Sequence, residues 1–309
     1  MTSRISIVVA TKDRPDDLRR LLESLRLQTL GPAEIVIVDA SHAPVEYVMA
    51  AFPELPTRYL RHWPPSAAAQ RNAGIRACDP AATLIGFADD DTTFEPKAFL
   101  NMFSFWKQAA PDILGAAFNI RNYPRRGGQF LKHSALTERL GLYSASPGRV
   151  SPSGWQAIIP ELNETQFVDW LPSTAAVWRR AVFEEELFDE FFESYSYLED
   201  LDFSYTVRRR GRLAVVADAG FFHFPSFASR VSTRQFGQYE VRNRLYFVKK
   251  HRLSVPRCYF GLAIRLGMSI SSGIARLDAK PLARGFGNIQ AITVQRTASP
   301  NGIVTDPLP

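Results

Sequence analysis

Short runs of apolar residues, many of them β-branched, alternate with amphipathic helical patterns over the first 119 residues of the chain. Strand patterns occur at residues 5–10, 34–39, 57–61 and 83–88. Helical patterns follow Asp13, which is predicted to cap the first helix, and begin again after Ser66 and at Pro96. Regular alternation of strands and helices predicts an α/β layer fold with a mainly parallel sheet.

The pattern changes twice beyond this region. Residues 120–165 are rich in proline and glycine, which predicts a long loop segment of the kind that forms lids or binding loops. Apolar periodicity resumes at Trp170 and includes a predicted helix containing residues 199–202. The pattern from residue 233 to about residue 277 is helical, and the tail from residue 297 is expected to fray. We therefore divide the chain into residues 1–110, 111–230 and 231–309.

Polar and apolar residues separate onto two sides of a predicted helix near the C-terminus. The polar side carries Arg265, Ser269, Ser272 and Arg276, and the apolar side carries Tyr259, Leu262, Leu266, Ile270, Ile274 and Leu277. Two arginines within about twenty residues are costly at the centre of a bilayer, so we do not expect a transmembrane span. Two interpretations stay open: the helix packs on the rest of the protein, or it lies on a membrane surface near basic residues.

The composition limits the class of protein. Of 309 residues, 46% are hydrophobic and 22% are charged, which predicts a globular chain of one large domain or two smaller ones. The chain has only two cysteines, Cys78 and Cys258, with no second sulfur near either in the sequence, which excludes a disulfide framework and a four-thiolate zinc site. The apolar run at residues 5–10 is too short for a signal peptide. The sequence therefore predicts a cytoplasmic protein.

Positive charge is concentrated in one stretch. The chain has 37 Lys and Arg against 31 Asp and Glu, and its net charge of +6 is typical of proteins that bind polyanions. Residues 208–252 contain eleven Lys and Arg against Asp218 and Glu240, which gives this stretch alone a charge of +9. The remainder of the chain is therefore slightly acidic, and we expect the basic stretch to meet a local anionic partner.

Acidic and hydroxyl side chains follow three of the predicted strands. Thr11 and Asp13 follow the first strand, Asp39 ends the second, and residues 89–91 are three consecutive aspartates after a later one. Ligands of open α/β sheets bind at the carboxyl ends of the strands, so we expect these groups to face one crevice. A divalent cation such as Mg²⁺ or Mn²⁺ would relieve the repulsion between them. The alternatives are a solvated turn that caps the next helix and, for Asp39, a cap of its own strand.

Five short motifs stand in a fixed order along the chain. They are Val8-Val9-Ala10-Thr11-Lys12-Asp13-Arg14-Pro15, Ile37-Val38-Asp39-Ala40-Ser41, Gln70-Arg71-Asn72-Ala73-Gly74, Asp89-Asp90-Asp91 and Glu199-Asp200. In this order and spacing the sequence resembles the family 2 glycosyltransferases over roughly residues 4–250. The resemblance implies a GT-A fold, an α/β fold with a Rossmann-like mixed sheet flanked by helices and a C-terminal helical extension. It also implies a nucleotide-diphospho-sugar donor, a divalent metal (Mn²⁺ or Mg²⁺) and inversion at the anomeric carbon.

The resemblance assigns a role to each part of the chain. Residues 1–110 would be the nucleotide-sugar-binding half of the GT-A domain, and residues 111–230 the acceptor-binding and catalytic half. Residues 231–309 would be a C-terminal helical region, with membrane association as the open question stated above.

Site residues carry over by their position in the motifs. The implied donor-binding residues are Thr11, Asp13, Asp39, Arg71, Asp89, Asp90 and Arg242. Asp39 would accept a hydrogen bond from the base, and Asp89, Asp91 and His223 would hold the metal. His223 lies among aromatic residues, so a buried core histidine is the alternative. The family usually has a second aspartate where this chain has Ala40, which leaves the donor nucleotide open.

The catalytic and acceptor residues come from the second part of the chain. Asp200 matches the family's general base, and the charge of neighbouring Glu199 is expected to raise the pKa values of the pair. The alternative is that both acids only stabilise a helix N-terminus. Trp170, Ser173 and Thr174 resemble the acceptor-side strand, where the indole would stack on a sugar; a core tryptophan is equally compatible with the pattern.

These features predict an inverting, metal-dependent glycosyltransferase acting on a saccharide or lipid-linked saccharide. Such an enzyme would serve polysaccharide or cell-envelope synthesis, in the cytoplasm or on the inner face of the plasma membrane. One alternative is a haloacid-dehalogenase-like phosphatase with Asp89 as nucleophile, although that family carries its motif on the first strand. Another is a non-catalytic protein that binds nucleotide-sugars or other polyanions. Acids at several strand ends argue against nucleic acid as the partner, and the absence of Gly-x-Gly-x-x-Gly after the first strand argues against an oxidoreductase.

Overall fold

The computed structural model describes residues 4–123, 135–225 and 231–297, which form two compact units. The sheet unit is drawn from Met1–Ser134, Ser144–Val150 and Gln156–Arg230, and the helical unit from Ala135–Tyr143, Ser151–Trp155 and Val231–Pro309. The predicted loop region at 120–165 therefore contributes to both units. Residues 124–134 of that region and the tail from residue 298 lie outside the described residues.

Nine strands of the described residues form one mixed sheet. They are β1 (Ile5–Thr11), β2 (Glu34–Asp39), β3 (Thr57–Arg61), β4 (Leu84–Asp89), β5 (Thr92–Phe94), β6 (Ile113–Ile120), β7 (Gln166–Val168), β8 (Ala175–Arg179) and β9 (Arg212–His223). Their order is β3-β2-β1-β4-β8-β6-β9-β5, and β7 pairs with β9. The strands β3, β2, β1 and β4 run parallel, whereas β8 is antiparallel to both β4 and β6. The predicted α/β fold is confirmed, with a mixed sheet.

Helices flank this sheet and form the second unit. They are α1 (Pro15–Arg26), α2 (Ala67–Ala77), α3 (Ala98–Gln108), α4 (Ala135–Arg139), α5 (Glu199–Val207), α6 (Thr233–Lys250), α7 (Val255–Arg276) and α8 (Ala279–Thr297). The Ser66 side chain caps α2 as predicted, because its hydroxyl accepts the N–H of Ala69. The helix expected from Pro96 begins at Ala98.

Two hydrophobic cores cover the two faces of the sheet. Along β1, Ile7 and Val9 join the leucines of α1 in one core, whereas Val8 faces the other core with residues of α2, as the alternation of a strand requires. Helix α2 approaches the sheet so closely that a Cβ at Gly74 would lie 2.2 Å from Val8 Cγ1. Glycine at this position therefore lets α2 lie against β1 and hold the residues of its motif beside the strand ends.

The helical unit differs from its predicted pattern. The helical stretch from residue 233 to residue 277 forms two helices, α6 and α7, and α8 is a further helix that the pattern did not predict. On α7 the buried residues are Cys258, Gly261, Leu262, Ser269 and Gly273. Of the predicted apolar side, Leu262 is buried, whereas Ile270, Ile274 and Leu277 are exposed. Only part of that side is therefore packed against the rest of the unit. Among the described helices, α7 has the length and composition of a membrane-crossing helix, judged by those two properties alone.

Candidate active site

The carboxyl ends of three parallel strands bring the predicted donor-side residues to one edge of the sheet. In the strand register, Thr11 at the end of β1 lies opposite Asp39 at the end of β2. On the other side of β1, Ala10 lies opposite Asp89 at the end of β4. The sheet therefore places Thr11, Asp39 and Asp89 at one edge, as the sequence predicted from their positions at the carboxyl ends of strands.

Protein donors surround the carboxylate of Asp39. Its Oδ1 accepts the N–H of Ser41 at 2.7 Å, and its Oδ2 accepts from the N–H of Val45, the hydroxyl of Tyr59 and the guanidinium of Arg61 at 3.0, 2.6 and 2.6 Å. Burial alone would raise the pKa of Asp39, but these hydrogen bonds hold it below its usual value. Asp39 therefore ties β2, β3 and the loop after β2 together, and its contact with the base stays a prediction.

Asp13 does not cap the first helix, so that expectation was wrong. Helix α1 begins at Pro15 with Arg14 as its N-cap, and Asp13 has a left-handed backbone with φ of 54°. Its carboxylate accepts the N–H of His42 at 2.8 Å and lies 2.8 Å from His42 Nδ1, while its own N–H donates to Ser41 Oγ. The aspartate joins the loops after β1 and β2, because these bonds compete successfully with helix capping.

The middle aspartate of the triplet is enclosed by the protein. Asp90 is 2% exposed, its Oδ2 accepts the hydroxyl of Thr11 at 2.8 Å, and its Oδ1 accepts from Arg14 at 3.0 Å. Burial, opposed by Arg14 and reinforced by the charge of Asp91, raises the pKa of Asp90 to about 7. Asp90 and Thr11 thus fasten the end of β1 to the turn after β4, and their predicted contacts with the donor stay untested.

The outer two aspartates and His223 form a cluster with the chemistry of a metal site. The turn after β4 leads into β5 rather than into a helix, which rules out the helix-cap interpretation of the triplet. Because β5 pairs with β9, Thr92 lies opposite His223, and His223 Nε2 comes within 3.0 Å of Asp91 Oδ1. One ligand atom from each of Asp89, Asp91 and His223 lies within 4.8 Å of the others. Two carboxylates and one imidazole are side chains that can hold a divalent metal ion.

Arg71 connects this cluster to the predicted catalytic acids. It projects from α2, is 5% exposed, and donates through Nη2 to Asp89 Oδ1 at 2.8 Å and through Nη1 to Glu199 Oε1. Its guanidinium also lies over the ring of Phe188, 5.7 Å from the ring centroid. The buried arginine therefore bridges the end of β4 and the start of α5.

The segment before α5 is held in an unusual backbone conformation. Ser194, Ser196 and Leu198 all have positive φ values, of 55°, 51° and 78°. The amide of Asn72, next to Arg71 on α2, exchanges two hydrogen bonds with the backbone of Phe188. Clusters of strained residues persist where surrounding contacts hold them, and they are common at functional sites. The Arg-Asn pair of the motif thus contacts both the first turn of α5 and the segment leading to that helix.

The predicted helix containing Glu199 and Asp200 is confirmed, and both acids lie in its first turn. Burial raises the pKa of each carboxyl; Arg71 opposes the shift for both, whereas the charge of Asp200 adds to it for Glu199. The Oδ1 of Asp200 accepts the N–H of Leu201 at 2.7 Å, and the negative charge of Asp89 also acts on both acids. A carboxylate of raised pKa next to a metal-type cluster has the properties of a general base.

The predicted acceptor residues lie on the segment that enters β8. The carbonyl of Thr174 accepts the N–H of Asp89 at 3.0 Å, so this segment adjoins the metal-type cluster, and Ser173 is buried beside it. Trp170 donates its indole N–H to the carbonyl of Ala157 at 3.0 Å and packs against the core. Stacking of this indole on a sugar stays a prediction, and so does donor binding by Arg242, which lies in α6 of the helical unit.

Several residues of the site had no predicted role. Gln70 Nε2 donates to the carbonyls of Thr11 and Val38 at 3.0 and 2.8 Å, joining the ends of β1 and β2. Both Arg14 and Gln70 belong to the recognised motifs, so their position was a usable signal. Tyr59 and Arg61 are two apart on a predicted strand and therefore share a face, but their register against Asp39 depended on the unknown strand order.

The sequence profile of glycosyl transferase family 2 matches residues 6–184, more than half of the chain. The chain belongs to glycosyl transferase family 2. A curated relative, the uncharacterized glycosyltransferase YwdF of Bacillus subtilis (strain 168), is 40% identical over 94 residues. That match covers 30% of this chain and spans only 34% of the length of YwdF.

Solved structures of other glycosyltransferases share the fold of this family member. S. aureus TarS 1-349 in complex with UDP-GlcNAc has a TM-score of 0.56 at 15% identity, covering 93% of this chain and 79% of TarS 1-349. Mannosyltransferase PcManGT from Pyrobaculum calidifontis, in complex with GDP-Man and Mn²⁺, has a TM-score of 0.56 at 12% identity, and the match covers 94% of this chain and 88% of PcManGT. At these identities the likeness shows the GT-A fold, which confirms the fold that the sequence resemblance implied.

Proposed function

We propose that this chain is a metal-dependent, inverting glycosyltransferase that moves a sugar from a nucleotide-diphospho-sugar to a hydroxyl group. The observation that carries the proposal is the bridge made by Arg71, which joins Asp89 of the metal-type cluster to Glu199 beside Asp200. Inverting transfer needs a base for the attacking hydroxyl and positive charge for the leaving diphosphate, close to each other. One edge of the sheet offers both sets of groups.

In the proposed reaction, Asp200 removes the proton of the acceptor hydroxyl as its oxygen bonds to the anomeric carbon. The bond from that carbon to the diphosphate breaks, and its electron pair leaves with the nucleoside diphosphate. Attack from the face opposite the leaving group inverts the configuration. Asp89, Asp91 and His223 would hold the divalent ion, which when bound neutralises charge on the diphosphate.

The raised pKa values of the catalytic pair suit this role. A base must be deprotonated before it can act, yet a carboxylate of ordinary pKa has a weak affinity for the proton it must accept. Burial of Glu199 and Asp200 raises the pKa of both groups. Activity is therefore expected to fall as the pH drops through the raised pKa of the pair, at a higher pH than for an exposed aspartate.

The metal assignment is tested by Asp91→Ala. Calorimetry of the full chain with UDP or GDP and Mn²⁺ should show binding that the variant loses, because a metal bridges carboxylates to diphosphate oxygens. Asp16→Ala removes an exposed carboxylate from α1 and is the matched control. Unchanged, Mn²⁺-dependent binding by Asp91→Ala would show that the metal lies elsewhere.

The base assignment is tested by Asp200→Asn. The variant should bind nucleotide diphosphate as the parent does but lose release of nucleoside diphosphate from the donor in the presence of a saccharide acceptor. Asp218→Asn, an exposed position on β9, is the control. Turnover at the parent rate would show that another residue acts as the base. Donor binding without turnover in the parent chain itself, over a broad acceptor panel, would favour the non-catalytic alternative.

We propose the donor and the acceptor by their chemical class. The structural neighbours are described with UDP-GlcNAc and with GDP-Man, so the donor panel begins with these two nucleotide-sugars. We propose a saccharide or lipid-linked saccharide acceptor, in cytoplasmic synthesis of polysaccharide or cell-envelope material. The phosphatase alternative loses its support, because Asp89 belongs to the fourth strand and pairs with Arg71 in a family 2 glycosyltransferase.

A further inference from the structure

The helical unit contains a buried ion cluster centred on Glu240. Glu240 on α6 is fully buried and accepts hydrogen bonds from Arg265 Nε at 3.3 Å, Arg284 Nη2 at 2.6 Å and Asn288 Nδ2 at 3.2 Å. Arg265 belongs to α7, and the other two donors belong to α8. A buried ion cluster therefore links the three helices from within.

Glycines form the closest contacts between these helices. A Cβ at Gly237 of α6 would lie 2.3 Å from the carbonyl oxygen of Arg284, and a Cβ at Gly287 of α8 would lie 2.1 Å from that of Arg234. On α7, a Cβ at Gly273 would lie 2.6 Å from Leu282 Cγ. Small and polar residues thus occupy much of the inner faces, while several large apolar side chains of α7 and α8 are exposed.

One face of α7 is an unbroken apolar stripe. Its members are four and three positions apart in turn and all are exposed: Pro256, Phe260, Ala263, Gly267, Ile270, Ile274 and Leu277. This spacing places the members within α7 along one side of the helix, Leu277 follows directly at its C-terminal end, and none of them is charged. Ile274 is 64% exposed and Leu277 is 94% exposed, values that a water-facing surface seldom combines with such a pattern.

The apolar surface continues onto α8. Leu282, Phe286, Ile289 and Val294 are each at least 40% exposed. The two stripes adjoin, because Leu282 lies against α7 at Gly273, and Ile270 lies 3.5 Å from the position of a Cβ at Gly285. We call the exposed stripe of α7 together with these four side chains of α8 the apolar face.

Basic residues lie close to both ends of the α7 part of the apolar face. Arg257, Arg276 and Lys280 are exposed close to the ends of the α7 stripe. Residues 231–297 contain twelve Lys and Arg against only Glu240 and Asp278, and Glu240 is already paired inside the unit. An apolar surface within a strongly basic unit is complementary to a partner whose outer layer is anionic and whose interior is apolar.

We propose that the apolar face docks the protein on the surface of an anionic lipid bilayer. A helix with an apolar side and basic neighbours lies in the plane of the headgroups, where the apolar side contacts the acyl chains and the basic residues contact the anionic headgroups. Helix α7 lies along the membrane rather than across it, because Arg265 near its middle is tied to Glu240 on the inner side. A second copy of the chain is a poorer match, because the two strongly basic units would repel each other.

Cosedimentation of the full chain with vesicles tests the proposal. Phosphatidylcholine vesicles containing phosphatidylglycerol should bind the protein, whereas vesicles of phosphatidylcholine alone should bind it much more weakly. Arg276→Gln with Lys280→Gln should lower the partition coefficient roughly thirtyfold, at about tenfold per 1.4 kcal/mol. Ile274→Ser with Leu277→Ser should lower it roughly tenfold or more.

Matched pairs in the sheet unit serve as controls. Arg76→Gln with Lys107→Gln removes the same charge from exposed helix positions, and Leu27→Ser with Leu30→Ser removes two exposed leucines. Both controls should keep parent binding, and Mn²⁺–UDP or Mn²⁺–GDP calorimetry on every variant checks the fold independently of lipid. Equal sedimentation with both vesicle types, or no vesicle binding, would overturn the proposal. A solution dimer that Ile274→Ser with Leu277→Ser dissociates, without vesicle binding, would assign the face to a second copy.

Discussion

Replacing Arg71 by methionine should destabilise the protein in a way that depends on pH. The Arg71 side chain is 6% exposed and pairs with Glu199, 10% exposed, and with Asp89, which is 30% exposed. Methionine fills a similar volume but supplies no charge and no donor. The variant therefore leaves Glu199 as an uncompensated buried acid next to Asp200.

The size of the effect follows from the burial of the pair. Removing one partner of a buried ion pair costs about 3–5 kcal/mol, because the remaining charge has lost its compensation. That cost applies in full only while Glu199 is ionised. Once Glu199 is protonated, the loss should shrink to that of ordinary hydrogen bonds, about 1 kcal/mol.

The sign of the pH dependence comes from linkage. Burial raises the pKa of Glu199 in the folded chain above its ordinary value of 4.5, so the folded state binds more protons than the unfolded state between these two pKa values. Stability therefore decreases as the pH rises through this window. Without Arg71 the folded pKa of Glu199 rises further, and the decrease continues to higher pH.

The assay is urea unfolding in metal-free buffer at pH 5 and at about pH 10, on either side of the Glu199 pKa, which burial raises to about 8. Unfolding is followed by circular dichroism, and the deficit of Arg71→Met relative to the parent should be small at the lower pH and much larger at the higher one. Adding Glu199→Gln should recover most of the loss at the higher pH, because the second variant removes the buried charge. Arg76→Met, an exposed position on the same helix, should change stability by less than about 0.5 kcal/mol.

An equal deficit at both pH values would refute this reasoning, because it would mean that lost packing rather than an unpaired acid destabilises the variant. Failure of Glu199→Gln to recover stability would have the same meaning. A pH-dependent deficit that the double variant abolishes would identify Glu199 as the group responsible.

Two further substitutions test packing in each unit. Gly74→Ala should cost about 1–3 kcal/mol in urea unfolding, because the new methyl would lie 2.2 Å from Val8 Cγ1, whereas Gly31→Ala, with no atom within 4 Å, should be nearly neutral. Arg284→Met should lower the free energy of unfolding by on the order of 3 kcal/mol, because it removes the arginine that donates two hydrogen bonds to buried Glu240. In the parent this pairing holds the pKa of Glu240 low despite its burial. The difference in free energy of unfolding between parent and variant should therefore decrease as the pH drops through the acid range. A difference that does not change with pH would contradict the pairing.

Much of the sheet unit follows from local signals. The strands β1, β2 and β4 are buried on both faces and therefore appear as continuous apolar runs, and each ends at a polar residue at the edge that carries the candidate site. The pattern of apolar and polar residues did not predict the order of the central strands. Antiparallel β8 enters between β4 and β6, and this pairing sets Thr174 beside Asp89. Pairings between distant segments depend on tertiary packing, which hydrophobic periodicity does not encode.

The wrong prediction has a physical cause of the same kind. Asp13 has the residue type and position of a helix cap, but it bonds to the loop after β2, a partner that sequence spacing does not show. On α7 the polar and apolar sides left packing on the protein and contact with a membrane as two open interpretations. In the structure Leu262 is buried together with small residues such as Gly261 and Gly273, a division that periodicity alone does not show.

The acids after the strands divide into two groups by the donors around them. Asp39 accepts four hydrogen bonds from the protein, and Asp90 accepts from Thr11 and Arg14, so these two carboxylates already serve the structure. Asp89 and Asp91 instead lie with His223 in the metal-type cluster. Motif position alone treats all four alike, because a carboxylate that ties strand ends together and one that binds a ligand have the same sequence signature. Substitution of Asp39 or Asp90 should therefore lower the stability of the free protein, whereas substitution of Asp91 should act on metal-dependent binding.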